Sequence, residues 1–168
     1  MKKGRTVLTA LVLVASVSVM VGCATSPPAQ TDFNLIFRYG VVPPKNELNT
    51  FNGTYRKDMV ADPSITIDLS LSQEELDRIR QKMVEVGFFD YTEPLFPESI
   101  GVAPAIPAMG YYFKVEYGSK GNELQWTPKY TDNKGRADKL RELIKLITDI
   151  IESKEEYKKL PEPTSAYL

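Results

Sequence analysis

The sequence predicts an α+β domain: a two-layer sandwich in which an antiparallel sheet carries two helices on one face, in the order strands, helix, strands, helix. Three observations predict it. Residues 33–39 (FNLIFRY) and 111–117 (YYFKVEY) alternate apolar and polar side chains with period two, as half-buried strands do. Residues 76–86 and 140–151 repeat apolar side chains at helical spacing. Short turn signals, Asn52-Gly53 and residues 118–122 (GSKGN), join neighbouring strands, and strands joined by tight turns pair antiparallel. One apolar face per strand and one stripe per helix bury together as two layers, leaving the other sheet face to solvent.

In chain order, Lys2, Lys3 and Arg5 open an apolar run, residues 7–21, that closes on Gly22-Cys23, and Cys23 is the single cysteine of the chain. A charged start, a short apolar stretch and small residues before a cut make a secretory signal segment. The run is 15 residues long, whereas a membrane-spanning helix needs roughly 20. Met20-Val21-Gly22-Cys23 resembles the lipobox of bacterial lipoproteins, with Met20 where Leu is usual. That resemblance implies cleavage between Gly22 and Cys23 and a diacylglyceryl group on the Cys23 thiol. Two acyl chains anchor firmly where one binds only marginally. The expected organisation is therefore a signal peptide at 1–22, a lipidated cysteine with a short linker at 23–31, and one domain at 32–168. The linker after Cys23 (ATSPPAQT) spans at most about 28 Å, keeping the domain close to the lipid surface.

Residues 33–39 form the first strand, stopped by Gly40, Pro43 and Pro44. Residues 46–60 mix polar residues with Leu48, Phe51, Tyr55 and Met59 around Asn52-Gly53, the pattern of an irregular hairpin at a sheet edge. After a turn at Asp62-Pro63, Ile65, Ile67, Leu69 and Leu71 alternate with Thr66, Asp68 and Ser70 as a one-sided strand. Ser72 and Glu75 then have capping-box spacing, Leu71 and Leu76 that of a hydrophobic staple, and Gly87 that of a left-handed helix end. Residues 92–110 hold Pro94, Pro97, Pro104 and Pro107 among apolar side chains such as Phe96 and Ile100. A loop so long is often functional, and the alternatives are a lid or partner-binding loop and a proline-stiffened cover for the core. Residues 124–126 continue the apolar side of the return strand after the 118–122 turn, and a second helix spans about 137–153. Pro161 and Pro163 make the C-terminal tail extended, either lying along the domain or loose.

Composition narrows function mainly by exclusion. The chain has 21 basic and 22 acidic side chains and no histidine. Without the signal segment the balance is 18 basic to 22 acidic, with no basic patch for nucleic acid. No histidine means no Ser-His-Asp triad and no histidine metal site, and with no cysteine left beyond the anchor the domain has neither disulfide nor thiol chemistry. No serine-lysine motif, Gly-x-Ser-x-Gly or phosphate loop occurs, and residues 132–135 (DNKG) lack the alternating ligands of a calcium loop. No cofactor is expected. A carboxylate pair remains open as an alternative, because 22 acids allow some pair to be close.

Residues 45–60 (KNELNTFNGTYRKDMV), 69–91 and 157–163 (YKKLPEP) resemble small uncharacterised lipoproteins of Gram-positive, spore-forming bacteria. The resemblance implies the compartment and no activity. The expectation is a non-catalytic lipoprotein on the extracytoplasmic face of the cell membrane, binding a partner or ligand; the alternative is a cell-envelope hydrolase with paired carboxylates. The solvent-facing strand positions Asn34, Arg38, Asp68, Tyr112, Lys114, Glu116, Gln125 and Thr127 mix charge with aromatic surface. Arg38, Tyr112, Lys114 and Glu116, with Phe96 and Ile100 of the proline-rich loop, are the candidate binding surface.

Overall fold

The alternating segments become six strands in the computed structural model, which describes residues 32–91, 108–128 and 135–167. These are β1 (Phe33–Val41), β2 (Asn46–Asn49), β3 (Thr54–Met59), β4 (Asp62–Asp68), β5 (Met109–Tyr117) and β6 (Lys120–Trp126). They build one antiparallel sheet in the order β4-β3-β2-β1-β5-β6. Helices α1 (Gln73–Glu85) and α2 (Arg136–Ser153), a 3-10 turn (Phe88–Asp90) and the short α3 (Glu155–Lys158) complete the described chain.

Register turns the period-two pattern into rows that run across the whole sheet. On the core side Ile67, Tyr55, Leu48, Phe37, Phe113 and Leu124 stand in one row, strand by strand. Against them pack Ile79 and Met83 of α1 and Leu140, Leu143, Ile147 and Ile151 of α2, all buried. Each fully buried side chain of this size contributes about 1.5–3 kcal/mol of transfer free energy, so the two helical stripes hold the layers together. Every member of the core cluster lies between Phe33 and Leu160. The domain is the expected two-layer α+β sandwich.

Local signals set the helix ends. The Glu75 amide donates to Ser72 Oγ at 3.2 Å and the Ser72 amide to Glu75 Oε2 at 2.7 Å, which closes the capping box. Gly87 ends the helix at φ 67°, where a side chain would be strained. The two helices run antiparallel. Lys82 meets Glu142 at 2.6 Å at one end, and Lys154 meets Glu75 at 2.5 Å at the other.

Four details differ from expectation. The 46–60 hairpin is not at an edge: β2 pairs with β1, β3 with β4, and β4 and β6 are the edges. The strand after it begins at Asp62 rather than beyond an Asp62-Pro63 turn, and the reversal falls on Val60, with φ 63°, and Ala61. That strand stops at Asp68, because Leu69 already turns inward at the approach to α1 and donates its amide to Gly53 O. The hairpin after β5 is tighter than five residues, with Tyr117 pairing Lys120 across Gly118-Ser119. The tail lies along the domain, with Lys57, Asp58 and Asp62 bonded to it.

Candidate functional site

The solvent side of the sheet is built by the same register, shifted by one residue. One row reads Thr66, Arg56, Glu47, Arg38, Tyr112 and Gln125; the next reads Asp68, Thr54, Asn49, Ile36, Lys114 and Glu123; Asn34 pairs with Glu116 beyond them. Arg38, Tyr112, Lys114 and Glu116 are therefore brought onto one face of the adjacent strands β1 and β5, as their spacing predicts. Phe96 and Ile100 lie outside the described residues, as do Gly22 and Cys23 and nearly all of the proline-rich loop. Thr127 departs from the expectation, since its hydroxyl is buried without a hydrogen-bond partner rather than wet.

Within the face the charges are already engaged. Arg38 Nε donates to Glu47 Oε2 at 2.5 Å, while Arg56 Nη2 approaches the same oxygen at 3.6 Å. The Arg38 guanidinium sits 5.1 Å from the centre of the Tyr112 ring, within cation–π range. Arg56 Nε donates to Lys45 O at 2.9 Å. On the other flank Lys114 Nζ is 4.0 Å from Glu116 Oε1 and shares its row with Glu123. Tyr112 has its pKa raised, first by burial and then by the neighbouring Glu123, whose charge opposes ionisation and whose carboxylate is hydrogen-bonded to the phenol. Partnered charges in partly exposed positions contribute little to stability, so their arrangement matters more as a recognition pattern.

The pattern is dipolar. Around β1 to β3 one carboxylate, Glu47, stands between two guanidiniums; around β5 and β6 one ammonium, Lys114, stands between two carboxylates. A shallow hollow of about 230 Å³ on the acidic flank is lined by Lys114, Val115, Glu116, Gly121, Asn122 and Glu123. Small-ligand sites run to roughly 300–1,000 Å³ and are concave, so this face suits a broad polar contact better than an enclosed molecule. Glu47, Arg56 and Glu123 were missed in the sequence because cross-strand neighbours are fixed by register, which alternation within one strand does not reveal.

A second, larger groove of about 540 Å³ opens between the end of α1 and the start of α2, lined by Val84, Glu85, Gly87, Asp90, Tyr91 and Arg136 among others. The Arg136 guanidinium lies 4.4 Å from the Tyr91 ring centre. Among the described residues no three histidine, cysteine, aspartate or glutamate side chains group so as to hold a metal ion, and no helix is long and apolar enough to cross a membrane. Among the described residues the carboxyls with displaced pKa values, Glu75, Glu142 and Glu155, move down. Burial raises Glu75, but Lys154 and the Ser72 backbone outweigh it; Lys82 lowers Glu142 and Lys158 lowers Glu155. No family model and no curated protein matches the chain.

Proposed function

We propose that the chain is a membrane-anchored, extracytoplasmic lipoprotein, lipidated at Cys23, whose domain captures a protein partner through the open sheet face without catalysing a reaction. One observation carries the recognition half: a flat array in which Arg38 and Arg56 flank one carboxylate on one side, and Glu116 and Glu123 flank Lys114 on the other. Such a two-signed pattern orients a complementary protein surface and rejects wrong registers by like-charge contact. The address half rests on Gly22-Cys23 at the end of its apolar run. The Gly118 amide donates to Asp32 O at 3.0 Å, and Glu116 pairs with Asn34, so the acidic flank of the face is next to the point where the linker joins the domain.

The paired-carboxylate alternative needs one carboxyl held protonated near neutral pH. Glu75, Glu142 and Glu155 move the opposite way, each lowered by a lysine beside it, so none of these three is a candidate for that role. The test is partner capture from solubilised membranes by residues 32–168, compared with the Tyr112→Ala and Lys114→Glu variants. A specific partner whose recovery drops in both supports the reading; equal recovery from all three counts against this face.

A further inference from the structure

The C-terminal residues 161–167 lie against β3 and β4 and are held through side chains of the sheet. Lys57 is the pivot. Its side chain is only 7% exposed, yet its Nζ donates to Pro161 O at 3.0 Å and to Glu162 Oε1 at 3.2 Å, and sits 5.4 Å from the centre of the Tyr157 ring. Next to it the buried Asp58 accepts from the Tyr167 hydroxyl at 2.5 Å and from the Val60 amide at 3.0 Å. Asp62 accepts from Thr164 Oγ1 at 2.8 Å, and Lys45 Nζ lies 5.8 Å from the Tyr167 ring centre. Among the described residues no backbone–backbone hydrogen bond joins 161–167 to the strands.

Two asymmetries mark this as a receptor groove with an occupant rather than a packed piece of core. With the tail seated, the Lys57 side chain is buried, whereas the tail's own Glu162 side chain is 86% exposed. Burying an ammonium is unfavourable unless carbonyl and carboxylate oxygens meet it, and here such oxygens come from the tail. The tail itself buries little, since residues 161, 162 and 164–167 are all exposed. Pro161 and Pro163 hold it extended, so little conformational entropy is lost when such a segment docks.

We propose that this groove is a second recognition site, for an extended acidic, proline-containing segment of a partner protein, and that residues 161–167 are its internal occupant, displaced when such a segment binds. The recognition rule is written in the contacts: a carbonyl and a carboxylate on Lys57, a hydroxyl on Asp62 and a phenol on Asp58. A tether this short gives the tail a local concentration of about millimolar order, so a displacing segment must bind tightly or arrive at high local concentration. The proposal is independent of the open sheet face and of the lipid anchor.

The experiment titrates a fluorescein-labelled peptide of residues 160–167 into the soluble domain ending at Leu160, which keeps every core residue, and into residues 32–168, reading fluorescence anisotropy. Saturable binding to the shortened domain, at least about tenfold weaker binding to the intact one, a loss of about tenfold or more with Lys57→Met, and a smaller loss of about two- to fivefold with Glu162→Gln in the peptide are expected. A second peptide that keeps only the two prolines, Glu162, Thr164 and Tyr167, with alanine elsewhere, should bind within about threefold of the first. Should circular dichroism show the shortened domain unfolded, residues 32–168 carrying Glu162→Lys, Thr164→Ala and Tyr167→Ala remove the three side-chain anchors at full length and take its place. Absence of binding to a folded domain with an open groove, indifference to Lys57→Met, or failure of the second peptide would overturn the proposal. So would a dimer by size exclusion that exchanges tails between copies.

Discussion

Tyr39 and Tyr55 make a sharp prediction about stability at alkaline pH. Their hydroxyl oxygens share a hydrogen bond at 2.7 Å on the core side of the sheet, with Tyr157 edge-on to Tyr55 at 5.5 Å between ring centres. Burial pushes the Tyr39 phenol up from 10.0 to about 12, the bond to Tyr55 only partly offsetting it, and burial followed by the charge of Tyr39 raises Tyr55 further still. A phenol whose pKa is higher folded than unfolded stabilises the fold fully below pH 10, and that stability is lost as pH rises through the folded value. For Tyr39 the rise from 10.0 to about 12 corresponds to about 3 kcal/mol, lost between roughly pH 10 and 12. Tyr39→Phe keeps the ring stacked 5.1 Å from Phe37 but removes the hydroxyl. At pH 8 it should cost about 1 kcal/mol, the net value of a hydrogen bond, while removing Tyr39's share of the alkaline loss. The two stability curves should therefore cross near about pH 11, with the variant the more stable beyond it. Urea melts of residues 32–168 from pH 8 to 12, with tyrosinate absorbance followed alongside, measure this. Parallel curves would refute the reasoning that the buried phenols carry the linkage.

Ile147→Ala should cost about 2–5 kcal/mol, since Ile147 is fully buried between α2 and the sheet, and a variant as stable as the parent in denaturant would contradict the two-layer packing. Ser72→Ala should cost only about 1 kcal/mol by opening the capping box, a smaller shift in the same melts. Lys114→Glu, which turns the acidic flank wholly negative, should speed partner dissociation by setting a carboxylate against the partner group that faces the Lys114 ammonium, while leaving the melting transition within about 0.5 kcal/mol, as measured by surface binding kinetics and thermal melts.

What could be read in the sequence is what short-range chemistry decides. Ser72, Glu75 and Gly87 specify a helix start and stop from within a few residues, and alternation in β1 and β5 assigns Arg38, Tyr112, Lys114 and Glu116 to the wet side without knowledge of any neighbour. Strand order is a different matter. β1 pairs along its whole length with β5, far down the chain, and nothing local in residues 46–60 says that this hairpin lies inside the sheet rather than at its edge. The alternation through Leu69 and Leu71 continues past the strand because the same apolar residues serve the turn into α1, so period alone overran the boundary. The tail's docking depends on Lys57 and Glu162, 105 positions apart, and a lysine in a strand carries no sign that its ammonium is buried. Arg56, Glu47 and Glu123 escaped for the same reason: their role comes from the strand beside them.

The claim at the centre of this account is that the domain works from a lipid anchor on Cys23. Intact mass spectrometry of the protein isolated from membranes tests it most directly, with the Cys23→Ala form expressed in parallel. The account predicts a chain that begins at Cys23, carries the mass of a diacylglyceryl group and partitions into detergent, and a Cys23→Ala form that keeps residues 1–22 and gains no lipid. An amino terminus at another residue, or an unmodified Cys23 in the mature protein, would contradict it.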